Sequence, residues 1–433
     1  MSRKNTNKEK EGKFMGDLNE RICIIGAGPA GLCAGMYLEK KGYKNYTILE
    51  KEDYVGGKCY SPYYKGKRYE MGAIMGAECY HAVKEVMDYC GIVPDGPVLD
   101  REFRNAYTGE VEEPFDPAQG PEIMGQLKKL AELLKTKYPD CVKNGHIGTH
   151  PDLAVPFTEF CEKNGVPLVK KLWLNPFTSF GYGYLDMIPA AYVFKYLDCN
   201  ELMLFLKKQL WTWKDGAQSI WEKLSYKLEN KPRLNTKIDK VIRKDGKVYV
   251  YTDFGKEEYD KIIVTAPLQY MEQYFDVTED EQTYFKKIIS EDYKVFACTV
   301  KNYPEISAYI QENMVPHRAG HAMVYYHRWE NEPDQIITVY ALGDHNEKIG
   351  VEETKKLIEE DMKLCGFEVD DIVLQKSWYY FPHINSYEYK NGWYDTVESW
   401  QGNLNTYYAG EIMSFGDMNE TAQYSKELVE RFF

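Results

Sequence analysis

The sequence has no long apolar run and no paired cysteine spacing. No segment reaches the roughly 20 consecutive apolar residues that a membrane-spanning helix needs. Its ten cysteines are scattered without a C-x-x-C pattern, and several, such as Cys23 and Cys298, lie inside apolar stretches. These are features of buried thiols in a reducing compartment. We therefore expect a soluble cytoplasmic protein.

Positive charge is also in short supply. Lys and Arg number 54 against 67 Asp and Glu, which gives a formal net charge of −13 and a pI near 5.3. Nucleic acid is excluded as a partner because no basic excess exists to neutralise phosphates. Residues 1–18 are rich in Lys, Asn and Glu and have no apolar core. This composition predicts a disordered tail and not a signal peptide.

Common catalytic and metal-binding patterns are missing too. The chain has no H-E-x-x-H, no Cys/His cluster and no Ser-His-Asp arrangement that the sequence can place. We expect no metal and no catalytic side chain, so that the hard chemical step falls to an organic cofactor.

A glycine turn near the N-terminus indicates what that cofactor is. The apolar run Ile22 to Ile25 leads into Gly26, Gly28 and Gly31, which keep the G-x-G-x-x-G spacing ahead of an Ala/Leu/Met-rich helix. Gly26 permits the tight turn, Gly28 lets the backbone approach a pyrophosphate, and Gly31 allows close packing. Pro29 and Ala30 open a helix whose N-terminus favours the phosphate charge.

Two further features extend this motif. Glu50 ends the next apolar run, at the separation expected for the acid that binds the ribose. Gly56-Gly57-Lys58 then adds a second close-approach loop, which nicotinamide-only domains do not need. A lone glycine pattern would fit a turn in any α/β protein. The combination favours FAD bound by an α/β, Rossmann-type domain.

Periodicity divides the chain into three regions. The FAD-binding domain is predicted to be discontinuous, over 19–94, 209–288 and 401–433, with a hairpin at Asp245-Gly246. Apolar positions at helical spacing predict a mostly helical insert over 95–208 that forms part of a substrate tunnel. Strand-like runs predict a substrate-binding sheet domain over 289–400.

Longer strings carry a resemblance to a known family. GAGPAG, the Glu50 to Lys58 segment, DGAQSI and the late AGE resemble the flavin amine oxidoreductase superfamily. YEMGAIMG at 69–76, DREF at 100–103, NPFTSFGYGY at 175–184 and AGEIMSFG at 409–416 resemble its bacterial FAD-dependent polyenoic fatty acid (linoleate) isomerases. This resemblance implies redox-neutral conversion of free polyunsaturated fatty acids such as linoleic acid to conjugated fatty acids. FAD would abstract a hydride from the bis-allylic carbon and return it to another carbon.

Two other functions stay open. The first is an FAD-dependent amine oxidase, in which Lys294 lies near the strand that carries a lysine close to flavin N5. The second is a flavin-containing carrier of fatty acids without catalysis.

The resemblance also implies site residues. Arg101 falls where the isomerases hold an arginine that grips the fatty-acid carboxylate, and Phe180 falls where they have an aromatic gate. Phe177, Tyr182 and Phe205 are candidates for the tunnel wall, although such aromatic residues fit a core equally well. Taken alone, Arg101 is more typical of a surface residue. The cofactor contacts predicted by motif and resemblance together are Gly26, Gly28, Pro29, Ala30, Gly31, Glu50, Lys51, Gly57, Lys58, Met71, Ala73, Ile238, Glu411, Met418, Asn419 and Gln423.

One departure from the family concerns the last helix. Amine oxidases often have glycines there, whereas this chain has Thr421 and Lys426. The difference bears on how closely this helix approaches the flavin.

Overall fold

The computed structural model describes residues 16–329, 335–343 and 349–433. Most of the tail predicted for residues 1–18 therefore lies outside the described residues, which include only its last three positions. In the described part of the chain, no helix is both long enough and apolar enough to cross a membrane.

A four-stranded parallel sheet is assembled from distant parts of the chain. In spatial order its strands are Thr406–Tyr408, Lys261–Val264, Ile22–Ile25 and Tyr46–Leu49. Ile22–Ile25 pairs with a neighbour on each side and is buried along its whole length. Continuous burial of this kind is the reason that parallel strands are apolar at every position. The predicted α/β class is confirmed.

Helices cover this sheet. Pro29–Lys41 begins with proline in its first turn and ends at Gly42, whose φ of 98° gives the left-handed cap that favours glycine. It packs against the C-terminal helix, Met418–Phe432. His81–Cys90 and Gln218–Lys227 complete the helices of this region.

The predicted hairpin is present in a separate three-stranded antiparallel sheet. Its strands, in order, are Gly255–Tyr259, Lys247–Thr252 and Ile238–Lys244. Asp245 and Gly246 join the last two strands with φ values of 55° and 71°. Two positive φ values are what a type I′ turn requires, so the Asp-Gly signal is confirmed.

A seven-stranded sheet forms the second large layer. In spatial order its strands are Glu368–His383, Ile289–Lys301, Ile337–Leu342, Ala322–His327, Ser307–Tyr309, Arg101–Arg104 and Val111–Glu112. Helix Val351–Leu364 packs against strands of this sheet.

The last two strands of this sheet come from the segment that we assigned to a helical insert. Ser307 and Tyr309 pair in parallel with Arg101 and Phe103. The segment around Arg101 is therefore extended and belongs to the sheet.

Most of the insert is nevertheless helical. The apolar spacing over 187–209 gives two helices because Asp198 caps the second one, its side chain accepting hydrogen bonds from the backbone N–H groups of Asn200 and Glu201. The helices over 120–206 are Gly120–Lys137, Phe157–Lys163, Lys170–Thr178, Ala190–Tyr196 and Cys199–Leu206.

Short elements complete the fold. The helices are Glu279–Phe285, Ser386–Lys390 and Trp393–Glu398, and the strand pairs are Tyr63–Tyr64 with Lys67–Arg68 and Gly76–Ala77 with Leu210–Trp211.

Candidate active site

A cavity of about 710 Å³ lies between the parallel sheet and the seven-stranded sheet. Gly26 and Gly28 from the glycine turn line it, as do Glu411 near the C-terminus and Tyr293 and Tyr380 from the seven-stranded sheet. A crevice at the carboxyl ends of parallel strands is where α/β proteins bind their ligands. Its volume is that of a site for a large organic molecule.

The glycine turn has the close contacts that its motif predicts. Gly26 has a φ of 101°, and a Cβ there would lie 2.7 Å from Thr265 Oγ1. A Cβ on Gly31 would lie 1.9 Å from the carbonyl oxygen of Gly26. Gly28 faces the second loop, since a Cβ on it would meet Gly57 Cα at 3.8 Å. Two bare backbone segments thus converge at the cavity, which is what a pyrophosphate requires.

Glu50 supports this turn as well as lining the cavity. It is 8% exposed, and Oε2 accepts a hydrogen bond of 2.8 Å from the backbone N–H of Ala27. Oε1 accepts another, of 3.0 Å, from the N–H of Glu52. A carboxylate has further lone pairs, so both bonds leave capacity for a ribose hydroxyl. The ribose contact of Glu50 stays a prediction.

Lys58 and Glu411 meet in the cavity wall. Lys58 Nζ lies 2.5 Å from Glu411 Oε2, and the two side chains are only 21% and 23% exposed. Lys58 Nζ also lies 5.1 Å from the centroid of the Tyr380 ring. The ion pair joins the second glycine loop to the last strand region of the fold.

The terminal helix presents one face to the cavity. Met418 and Thr421 line it, as does the capping residue Asp417, whose Oδ1 accepts from the N–H groups of Asn419 and Glu420. Burial raises the pKa of Asp417 well above its ordinary value, and the nearby Glu420 carboxylate raises it further. Thr421 donates its hydroxyl hydrogen to backbone carbonyls of its own region, such as that of Phe415, 3.0 Å away. A threonine in place of glycine is therefore accommodated here.

Several predicted cofactor residues lie elsewhere. Asn419 Oδ1 accepts from the backbone N–H of Ala82, 2.9 Å away, and so caps helix His81–Cys90. Gln423 Nε2 donates to Glu427, 2.7 Å away. Met71 is buried outside the cavity lining, and its carbonyl oxygen accepts from the indole of Trp378. These contacts orient neighbouring elements. Pro29, Ala30, Lys51, Ala73 and Ile238, which were predicted as cofactor contacts, line the cavity, and their contact with the cofactor stays a prediction.

The predicted aromatic residues divide into two groups. Phe180 and Tyr182 line the cavity. Phe177 is fully buried behind Tyr182, with 5.6 Å between the ring centroids. Phe205 stands outside the cavity, edge to face with Phe180 at 5.6 Å. Phe180 thus separates the cavity from Phe205.

Arg101 lies next to Phe205 and, like Phe205, outside the cavity lining. Its guanidinium carbon is 4.9 Å from the Phe205 ring centroid and 5.4 Å from that of Tyr309. Nη1 donates a hydrogen bond of 2.9 Å to the Tyr309 hydroxyl. Among the described residues, no carboxylate lies within ion-pair distance of this guanidinium. Arg101 is a half-buried cation between two aromatic faces.

A row of buried tyrosines connects Arg101 to the cavity. We call it the tyrosine row. Tyr293 lies 5.0 Å from Tyr380 and 5.8 Å from Tyr340, as ring centroids. Tyr340 lies 5.5 Å from Tyr326, whose hydroxyl is 3.5 Å from that of Tyr309. The row takes one residue from each of five neighbouring strands: Tyr380, Tyr293, Tyr340, Tyr326 and Tyr309.

Comparison with known proteins identifies the family. The sequence model of the flavin containing amine oxidoreductases matches residues 29–421. This chain belongs to that family. The α/β FAD-binding fold predicted from the sequence is confirmed, and the glycine turn, the facing loop and the cavity fit the family's flavin as FAD.

Individual relatives narrow the comparison. The chain is similar to the crystal structure of a CLA-producing fatty acid isomerase from P. acnes, with a TM-score of 0.94 and 50% identity over 96% of this chain and 99% of that one. Cyclohexylamine oxidase from Brevibacterium oxydans IH-35A shares the fold at a TM-score of 0.67 and 16% identity, over 95% of this chain and 98% of that one.

A curated relative shares part of the sequence. The polyenoic fatty acid isomerase of Ptilota filicina is 24% identical over an alignment of 262 positions that covers 52% of this chain. The aligned part of the chain spans 51% of the length of that relative.

The position of Lys294 bears on the alternative of an amine oxidase. Tyr293 faces the cavity, and its neighbour Lys294 does not line it. Adjacent residues of a strand point to opposite faces of a sheet, which accounts for the difference. The Lys294 ammonium forms an ion pair with Asp292.

Sequence reasoning missed Tyr309 and the rest of the tyrosine row. Strand alternation could have shown which face of its strand each tyrosine occupies, but the order of strands in the sheet is needed to align them.

Proposed function

We propose that this protein isomerises free polyunsaturated fatty acids, such as linoleic acid, to conjugated fatty acids without net redox change. The observation that carries the proposal is the near full-length match to the P. acnes isomerase, at half of all positions. The cavity and its surroundings add support from this chain's own residues.

The chain's residues bind and shelter the reacting part of the fatty acid. When bound, FAD supplies a ring that accepts a hydride from a bis-allylic carbon and gives it back to another carbon. Phe180, Tyr182 and Tyr293 give the cavity an aromatic wall that excludes water and confines an extended apolar chain.

Arg101 is the proposed carboxylate anchor. A guanidinium has five N–H donors, and Arg101 uses one of them, on Nη1, for the Tyr309 hydroxyl while its carbon lies over the rings of Phe205 and Tyr309, so further N–H groups remain for a carboxylate. Ring contact and carboxylate binding are therefore compatible. Fixing the carboxylate determines which carbon of the chain reaches the cavity, so Arg101 would set the position of the double bonds.

Phe180 and Phe205 would control the path between the anchor and the cavity. The two rings lie in series, with Phe205 against Arg101 and Phe180 in the cavity wall. A fatty acid held by Arg101 must displace or pass both rings. The gate that the resemblance assigned to Phe180 would then consist of two aromatic residues.

The arrangement gives amine oxidation less support. That reaction was considered because of the superfamily motifs, with Lys294 as the lysine expected near the flavin, but the Lys294 side chain lies off the cavity and its charge is paired with Asp292. The alternative of a non-catalytic carrier has no observation in its favour.

Domain roles and location are part of the proposal. We assign FAD to 19–94, 209–288 and 401–433, and the fatty acid to the helical insert within 95–208 and the sheet domain over 289–400, with the strands around Arg101 counted in that sheet. A cytoplasmic location is supported by the ten cysteines, which are all free and seven of which are buried. A formal charge of −13 supports the absence of a nucleic-acid partner.

An anaerobic assay with the purified holoenzyme tests the reaction. Linoleic acid is added without any electron acceptor, and conjugated-diene absorbance is followed together with the flavin band. We expect the diene to accumulate over many turnovers while the flavin returns to its oxidised spectrum. Flavin bleaching after one turnover, or peroxide release from amines in air without diene formation, would favour an oxidase. Tightly bound linoleic acid recovered unchanged would indicate a carrier.

A further inference from the structure

The Tyr309 hydroxyl occupies an unusual position beside Arg101. Tyr309 is 2% exposed, and its phenol oxygen accepts the 2.9 Å hydrogen bond from Arg101 Nη1. Its ring also packs at 5.8 Å from Phe103 on the strand that carries Arg101. The packing of its ring and the pairing of its strand hold Tyr309 in place, so the fold fixes the position of its hydroxyl oxygen.

The hydrogen on that hydroxyl has a poor partner. Since the Tyr309 oxygen already accepts from Arg101, its own O–H must donate elsewhere. The hydroxyl of Tyr326 is 3.5 Å away, whereas O–H···O hydrogen bonds are normally about 2.5–3.0 Å long. A buried O–H without a good acceptor costs free energy that a ligand can recover.

Tyr326 is a poor acceptor for the hydroxyl hydrogen of Tyr309. Burial raises the pKa of Tyr326 well above its ordinary value, so it stays a neutral phenol, and at 3.5 Å its oxygen is too far from that of Tyr309 for a strong hydrogen bond in either direction. Two phenol hydroxyls and the guanidinium of Arg101 therefore lie within hydrogen-bond reach of one another, and no carboxylate of the described residues lies within ion-pair distance of that guanidinium.

We propose that Tyr309 is a substrate-binding residue that donates a hydrogen bond to the carboxylate of a long-chain fatty acid held by Arg101. One carboxylate oxygen would accept from the guanidinium and from the Tyr309 hydroxyl, and the other from the guanidinium alone. This inference rests on the proposed function for the identity of the ligand. It adds a neutral donor whose hydrogen bond is stronger to an ionised carboxylate than to an ester carbonyl.

Binding of a saturated ligand tests this inference separately from catalysis. Stearic acid has no double bond to move, so its dissociation constant can be measured with the wild-type holoenzyme by titration calorimetry and by the change in flavin absorbance. Tyr309→Phe keeps the ring and removes the hydroxyl. We expect it to weaken stearic acid binding about tenfold, as loss of a hydrogen bond to a charged group does. Methyl stearate, which has no charge, should change less than about twofold.

Tyr325→Phe is the matched control. Tyr325 lies on the neighbouring strand and is fully buried, but it pairs with Ala308 and so points to the opposite face of the sheet, against Phe367. The Tyr325→Phe variant should bind stearic acid as tightly as the wild type does. Tyr326→Phe removes the next hydroxyl of the tyrosine row and should weaken binding less than Tyr309→Phe.

Three results would overturn the inference. They are unchanged stearic acid binding in Tyr309→Phe, equal weakening for the acid and the methyl ester, and a tenfold loss in Tyr326→Phe with none in Tyr309→Phe. Equal weakening would mean that Tyr309 only positions Arg101 or packs the wall. If the wild type binds stearic acid in the predicted way but forms no diene from linoleic acid, the isomerase proposal fails and the carboxylate site stands.

Discussion

Lys58 and Glu411, 353 positions apart in sequence, form an ion pair of 2.5 Å in the wall of the cavity. The two residues connect the second glycine loop to the segment after the last parallel strand. Their side chains are mostly shielded from water, so the pair is stronger than an exposed one.

Removing the cation should weaken flavin binding. In Lys58→Met the Glu411 carboxylate is left without its partner in a cavity that must also accept phosphate charge, and we expect the dissociation constant of FAD to rise about tenfold or more. Fluorescence of released flavin measures it. Lys84→Met is the control because the Lys84–Asp88 pair is exposed. An unchanged dissociation constant in Lys58→Met would show that the pair does not contribute to the cofactor site.

Two glycine-to-alanine changes should have opposite effects on the free energy of unfolding. A methyl group at Gly31 would lie 1.9 Å from the Gly26 carbonyl oxygen, so Gly31→Ala should displace the turn, reduce flavin content and cost at least about 2 kcal/mol. Gly125 lies inside helix Gly120–Lys137, where a methyl group would meet no atom of a neighbouring element within 4 Å among the described residues. Gly125→Ala should stabilise by about 0.5–1 kcal/mol. Thermal unfolding and the flavin-to-protein absorbance ratio check both, and normal flavin content in Gly31→Ala would contradict the turn geometry.

Arg101 should affect the substrate without affecting the flavin. Arg101→Gln removes the cation, and we expect KM for linoleic acid to rise about tenfold or more and the position of the new double bonds to become mixed. Chromatography of the products reports their position. Arg104→Gln on the same strand is the control, since the Arg104 guanidinium is engaged by Glu102, 2.7 Å away. Unchanged kinetics and a single product in Arg101→Gln would remove Arg101 from the site.

Lys195 should make stability depend on pH. It is 4% exposed, its ammonium has no hydrogen-bond partner in the described part of the chain, and burial lowers its pKa from 10.5 to about 8. Between those values the unfolded chain binds the proton and the folded chain does not, so stability rises with pH. Below pH 8 the buried ammonium lowers the free energy of unfolding by its full amount, which is about 3 kcal/mol at 1.36 kcal/mol per pH unit.

Lys195→Met removes this penalty. The variant should be more stable than the wild type at pH 7.5, and its advantage should shrink toward pH 10.5. Denaturant unfolding at several pH values measures the difference, with the exposed Lys223→Met as control. A constant difference between variant and wild type across this range would contradict the depressed pKa.

The sequence predicted the glycine turn that lines the cavity because its signals are local. Gly26, Gly28 and Gly31 are close in sequence, and a Cβ on Gly26 or Gly31 would lie too close to a neighbouring atom. Asn419 and Gln423 were grouped with Met418 by resemblance, yet helical periodicity turns them away from the cavity: Met418 and Thr421 share the face that lines it.

The substrate half depends on non-local order. Arg101 was predicted from its short string, but its strand was assigned to a helical region because the apolar spacing of the segments that follow it is helical. Tyr309 contacts it only because Ser307–Tyr309 pairs in parallel with Arg101–Arg104, a neighbour relation that a single sequence does not contain.

Transfer of deuterium tests the central claim most directly. Linoleic acid deuterated at the bis-allylic carbon is incubated anaerobically with the holoenzyme in ordinary water, and the conjugated product is analysed by mass spectrometry. We expect product of unchanged mass, with one deuterium moved to another carbon, because a sheltered cavity returns the same hydride. Product that has exchanged one deuterium for solvent hydrogen in every turnover would contradict the sheltered return of the same hydride, because it requires proton transfer or exchange of the transferred hydrogen with water.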